Sequence, residues 1–152
     1  MNGAKKPNLS VLIALKNGAK MPQYAVQDSS GVDLHALLEA PIVVHVGQRV
    51  LVPTGISLSI PEGYEAQIRS RSGLALKHGI TVLNSPGTID AGYRGEIKVL
   101  LINLGQEPFT IEPNMRMAQC VFAPVCQAEF QMVEDLGLSD RQEGGFGSTG
   151  VR

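Results

Sequence analysis

Apolar residues recur along the chain in short runs separated by polar and turn-forming residues: positions 9–15, 32–38, 42–46, 50–52, 56–60 and 64–68. In Ile56-Ser57-Leu58-Ser59-Ile60 and Tyr64-Glu65-Ala66-Gln67-Ile68 the alternation has period two, which predicts strands with one buried and one wet face. Two later runs, 97–102 and 119–125, are more continuously apolar and suit strands covered on both faces. Helical turns are expected only over 73–77 and 133–136. With 17 Gly and 9 Pro spread between the runs and no internal repeat, the pattern predicts an all-β domain, a two-sheet sandwich or jelly roll.

Residues 80–97, ITVLNSPGTIDAGYRGEI, place two apolar arms around a polar tip punctuated by Pro86, Gly87, Gly92 and Gly95. This reads as a β-hairpin with a long tip. The tip brings Asn84, Asp90, Tyr93 and Arg94 toward one small ligand, with Tyr93 beside Gly92. Asn and Asp are also ordinary turn residues that bond their own backbone, so the tip alone leaves a purely structural role open. Three further clusters change the balance: SRSGLA at 70–75, NMRMAQ at 114–119 and RQEGGFGSTG at 141–150. Hydroxyls, close-approaching backbone N–H groups and planar guanidinium groups are what phosphate oxygens require. Each cluster is weak singly, because glycine strings also make linkers; together they point to a nucleotide.

At 152 residues the chain fits one domain, and 43% hydrophobic residues suffice for a core. A formal net charge of −1, from 13 basic and 14 acidic residues, argues against a nucleic-acid polymer as partner. No run approaches the ~20 apolar residues of a membrane helix, and MNGAKKPNLS lacks the apolar stretch of a secretion signal. A soluble, cytoplasmic protein without a membrane partner is expected. Cys120 and Cys126 share one strand-like run and read as small core residues in a reducing compartment. His35, His45 and His78 are scattered, so no imidazole or thiolate metal cage is expected, and no G-x-S-x-G elbow supports a serine nucleophile. After Leu138 the composition shifts: residues 139–152 hold four glycines and only Phe146 and Val151 as large apolar groups. They cannot build a core, so the expected division is a β domain over 1–138 and a flexible arm over 139–152 that acts as a lid over the active site.

The chain resembles the trimeric dUTPase family, whose five motifs correspond in order to SSGVDLHA, SRSGLA, NSPGTIDAGYRGEI, NMRMAQ and RQEGGFGSTG. Two departures are visible. Val32 stands where an aromatic is frequent in the first motif, and Asn114-Met115 where Gly-Asp commonly precedes the arginine of the fourth. The resemblance implies a distorted jelly roll, a homotrimer with sites shared between subunits, and hydrolysis of dUTP to dUMP and pyrophosphate with Mg2+. That reaction supplies dUMP for thymidylate synthesis and keeps uracil out of DNA. By the same resemblance Asp90 is the general base, and Asp33 faces the metal through a bound water. Arg71, Ser72 and Gly73 seat the phosphates, supported by Arg116 and Gln119. Asn84 and the backbone of Thr88, Ile89 and Asp90 read uracil, Tyr93 packs on deoxyribose, and Lys98 adds a contact. In the arm, Phe146 covers the base while Arg141, Gly147, Ser148 and Thr149 close on phosphates. A dCTP deaminase, with Glu96 as its acid–base group, and a non-catalytic nucleotide-binding module are the competing readings.

Overall fold

A computed structural model describes residues 9–139 and 142–144. Ten strands and one helix follow in the order β1 (Leu12–Leu15), β2 (Val32–His35), β3 (Ile42–Val44), β4 (Arg49–Ser59), β5 (Tyr64–Ser70), α1 (Ser72–His78), β6 (Ile80–Val82), β7 (Gly87–Ile89), β8 (Glu96–Asn103), β9 (Phe109–Ile111) and β10 (Arg116–Pro124). They form two four-stranded antiparallel sheets, ordered β1-β4-β8-β6 and β2-β10-β5-β7, and a small β3-β9 pair. The all-β, jelly-roll architecture read from the sequence is present. Alternation places Ile97, Val99 and Leu101 of β8 and Ala66 and Ile68 of β5 in one core with Val52, Ile56, Leu34 and Cys120.

Three local expectations are corrected. The runs 50–52 and 56–60 are one eleven-residue strand, because Thr54 and Gly55 bulge out of the pairing between Pro53↔Lys98 and Ile56↔Ile97. Two inserted residues keep the inward phase, and Gly55, at φ +70, supplies the left-handed backbone the bulge needs. The 133–136 segment forms no helical turn; it is irregular, with a bend at Glu134, and lies outside the sheets. Cys126 lies beyond the end of β10 and is exposed, whereas Cys120 is buried in the core.

The hairpin also differs from its reading. Its arms do pair, Ile80↔Asn103 to Val82↔Leu101, but β7 inside the tip crosses to the other sheet and pairs Ile89, Thr88 and Gly87 with Ala66, Gln67 and Ile68 of β5. The tip is therefore held by both sheets. The expected turn at 73–77 is the full helix α1, stopped by Gly79 at φ 67. Gly79 lies against Gly105 so closely that a Cβ there would sit 2.3 Å from the Gly105 nitrogen, and the N–H of Leu104 bonds the Gly79 carbonyl at 2.9 Å. That crossing fixes the C-terminal end of α1 while its first residues face an open cleft. No helix among the described residues is long and apolar enough to cross a membrane.

Candidate active site

The first cleft, about 560 Å³, opens where β5 runs into α1 and where β2 and β10 lie side by side. It is lined by Arg71, Ser72 and Gly73, by Asp33, and by Arg116 and Gln119. The register explains the gathering, since Gln119 pairs with Asp33 on one side of β10 and with Arg69 on the other. Asp33 Oδ1 lies 3.1 Å from Arg71 Nε, and its Oδ2 accepts from Arg116 Nη1 at 3.2 Å. Arg71 Nη1 also donates to the Arg116 carbonyl at 3.1 Å, and Gln119 Nε2 to the Ser70 carbonyl at 3.0 Å. One carboxylate thus organises two guanidinium groups, leaving the cleft with excess positive charge suited to an oxyanion. Behind it, burial and, to a lesser degree, the cations Arg116, Lys20 and Arg71 hold the His35 imidazole below its ordinary pKa against the pull of Asp33. Its Nδ1 is buried without a partner.

Sequence reasoning missed Ser29, Ser30, Gly31, Lys77 and His78, which also line this cleft. A signal existed for Lys77: it stands four residues after Gly73, on the same helix face. Gly31 permits close approach, since a Cβ there would lie 3.1 Å from Gln119 Oε1.

A second cleft, about 410 Å³, is lined by Leu51, Thr88, Ile89, Asp90, Tyr93, Glu96 and Lys98. Asp90 follows β7 directly, and the N–H of Tyr93 closes the turn on the Asp90 carbonyl at 3.1 Å. The Tyr93 ring lies against Gly95, where an added Cβ would sit 2.4 Å from its Oη. Arg94 is outside the lining; its Nη1 donates to the carbonyls of Ala91 at 2.5 Å and Tyr93 at 2.9 Å. Asn84 is outside the lining and packs near Gly87. The two clefts have no lining residue in common, so the predicted residues are brought together in two groups, not one. Arg141, Phe146, Gly147, Ser148 and Thr149 lie outside the described residues.

Residues 17–150 match the family profile described as dUTPase. The chain belongs to the dUTPase family. It is 56% identical over 147 residues to the deoxyuridine 5'-triphosphate nucleotidohydrolase of Chlamydia caviae, spanning 95% of this chain and all of that protein. The corresponding protein of Rhizobium etli is 52% identical over 149 residues, 96% of each chain. Among solved structures, Staphylococcus bacteriophage 80alpha dUTPase with dUPNHPP superposes with a TM-score of 0.85 at 27% identity, covering 93% of this chain and 99% of that one.

Both departures from the family motifs now have a local account. Asn114 adopts φ 63, the left-handed conformation glycine would supply, and its N–H bonds the Ala36 carbonyl at 2.8 Å. Asn tolerates that region better than most residues, so the turn before Arg116 keeps its shape. Val32 is buried in the core opposite Cys120. As for a deaminase, the Glu96 carboxylate is already occupied: Oε2 meets Lys16 Nζ at 2.7 Å and Oε1 accepts from the Gly55 N–H at 2.9 Å. The bond to Lys16 holds its pKa below the ordinary carboxylate value against the effect of burial. No cluster of three or more His, Cys, Asp or Glu among the described residues forms a metal cage. A lone carboxylate beside an oxyanion cleft fits a hard cation carried mainly by phosphate oxygens and waters, as Mg2+ prefers.

Proposed function

We propose that this chain hydrolyses dUTP to dUMP and pyrophosphate, with the triphosphate in the Arg71–Gly73 cleft of one subunit and the nucleoside beside Asp90 and Tyr93 of a neighbour in a homotrimer. Family membership across nearly the whole chain carries the activity. The single geometric observation supporting a shared site is that the two groups of residues line separate clefts. Exposed apolar surface favours the same assembly: Leu51 and Leu100 are cross-strand partners on an outer sheet face, and Phe130, Met132, Leu136 and Leu138 are 94%, 100%, 96% and 95% exposed in the single chain. Such side chains are normally covered by a partner.

In this reading Asp90 takes a proton from the water that attacks the α-phosphorus. Arg71, Ser72 and Gly73 hold the phosphates in line, and Gln119 keeps the Ser70–Arg71 backbone in place through its bond to the Ser70 carbonyl. Thr88 and Ile89 present backbone groups to uracil, Tyr93 covers deoxyribose, and Lys98 borders the pocket. Asp33 would hold Mg2+ through water, the ion neutralising triphosphate charge when bound. Residues 1–138 form the domain, and 139–152 bring Arg141, Phe146, Gly147, Ser148 and Thr149 over the nucleotide as a lid. Two unpaired cysteines suit the cytoplasm. Pyrophosphate release measured across dUTP, dCTP, dTTP and UTP tests the reading; turnover of dUTP alone is expected, and ammonia release from dCTP would overturn it.

A further inference from the structure

Gly95 is not required by its backbone. Its φ lies outside the left-handed region, in contrast to Gly55, Gly63 or Gly79. What a side chain would meet there is the Tyr93 ring: an added Cβ would lie 2.4 Å from its Oη, 2.5 Å from Cζ and 2.9 Å from Cε2. Distances under 3 Å to the hydroxyl oxygen and two ring carbons mean that the phenol end of Tyr93 fills the space over Gly95 and must move if that position gains a methyl. The Tyr93 hydroxyl is tied at the same place, donating to the Glu96 carbonyl at 3.0 Å.

The acceptor is the backbone carbonyl, and the residue that carries it is anchored through its side chain. The Glu96 side chain is 12% exposed, bound by Lys16 Nζ at 2.7 Å and by the Gly55 N–H at 2.9 Å. Lys16 in turn donates its backbone N–H to the Gly55 carbonyl at 2.8 Å. The bulge in β4, the residue following β1 and the start of β8 therefore converge on the residue that holds Tyr93.

We propose that Gly95 and Glu96 are positioning residues for Tyr93, fixing its ring in the orientation that excludes a ribose 2′-hydroxyl, so that sugar selection depends in part on Gly95, which does not line the cleft. The inference rests on Tyr93 facing the sugar. A ring free to swing would still cover the sugar at times but would yield to a hydroxyl, and misplacement of a positioning group by about 1 Å is enough to cost up to ~10²-fold.

The test is the ratio of kcat/KM for dUTP to that for UTP in the full-length Tyr93→Ala, Gly95→Ala and double variants. Tyr93→Ala should narrow the ratio, Gly95→Ala should narrow it by about tenfold, and the double variant should narrow it no further than Tyr93→Ala alone, because the two act through one ring. A merely structural loss lowers both substrates equally and leaves the ratio untouched. Should Gly95→Ala not fold, Tyr93→Phe keeps the ring and removes its tether; a narrowed ratio there supports the proposal and an unchanged one overturns it. Glu96→Ala should narrow the ratio and Glu96→Gln should restore most of it, since an amide oxygen can still accept from Gly55. If Tyr93→Ala leaves the ratio unchanged, the sugar role of Tyr93 fails and the inference with it. If Tyr93→Ala narrows the ratio while Gly95→Ala does not, only the inference fails.

Discussion

The carboxylate of Asp33 meets the guanidinium of Arg71, Oδ1 to Nε, at 3.1 Å. Its other oxygen is taken by Arg116, so the cleft's one acidic group is spent on holding two cations at its mouth. The pair is partly exposed, and partly exposed ion pairs hold weakly, commonly by about 1 kcal/mol or less. If the triphosphate occupies this cleft as proposed, it would replace the carboxylate on either arginine. Asp33→Asn removes a negative charge from the cleft. Metal-free dUTP, measured by calorimetry, should bind the variant at least as tightly as the natural chain, while the gain in kcat/KM on adding Mg2+ should largely disappear. Weaker metal-free binding in the variant would mean that Asp33 serves chiefly to shape the arginines.

Asp90 closes the turn that begins where β7 ends, and it shares its cleft with Thr88, Ile89 and Tyr93. Replacing it by Asn keeps the shape and removes the carboxylate proposed as the base. A positioned general base contributes about 10²–10⁴ in rate, so kcat should fall by that order with dUTP affinity nearly unchanged. Unchanged kcat in single-turnover experiments would remove Asp90 from the chemistry.

The alternation at 56–60 and 64–68 was enough to place the buried faces of β4 and β5, because a half-buried strand has to follow the pleat. What alternation could not reveal was Gly55 joining two runs into one strand: a two-residue bulge preserves the inward phase and leaves no mark in the pattern. Similarly, Cys126 reads as a continuation of an apolar run, yet β10 pairs with β5 only as far as Pro124↔Tyr64, where the partner strand begins. Many of the residues that line the two clefts were legible through local chemistry, glycines and arginines in polar clusters. The resemblance implied sites shared between subunits, but the chain path that separates the two clefts could not be read locally, since it depends on β7 leaving its hairpin for the opposite sheet. Lys77 was missed because a cation in the last turn of a short helix has an ordinary explanation in the helix dipole.

Glu96 gives the fold a specific acid sensitivity. Its folded-state pKa lies below the ordinary 4.5, chiefly through the bond to Lys16, so the unfolded chain takes up this proton at higher pH than the folded one. The stabilisation is complete above about pH 4.5 and is lost as pH falls through the lowered value. Urea midpoints at pH 6, 4 and 3 should drop more steeply for the natural chain than for Glu96→Gln. Parallel profiles would show that the Lys16 bond adds nothing to stability in solution.

The two thiols should differ sharply in reactivity. Burial pushes the Cys120 thiol up to about 12, so almost no thiolate exists there at neutral or mildly alkaline pH, and Cys120 is also shielded in the core. In the folded protein a thiol reagent should modify Cys126 alone, and Cys126→Ser should show no reactive thiol until denaturant is added. Rapid labelling of Cys120 in that variant would indicate that the β2-β10-β5 side of the core opens readily.

If the site is assembled from two subunits, damage to opposite halves must be mutually repairable. Asp90→Asn disables the nucleoside-side cleft and Arg71→Ala the phosphate-side cleft, and no residue lines both. Unfolding the two inactive variants together and refolding them as an equal mixture should recover dUTP hydrolysis. An intact site requires the Asp90 of an Arg71→Ala chain to meet the Arg71 of an Asp90→Asn chain, which random assembly in a closed ring provides at about a quarter of the interfaces. Activity near a quarter of the natural enzyme's is therefore expected, falling at unequal mixing ratios as the product of the two chain fractions. Each variant refolded alone controls for residual activity. Were both clefts to serve one site within a single chain, every chain in the mixture would carry a damaged site, and the activity would stay at the average of the two parents at every ratio.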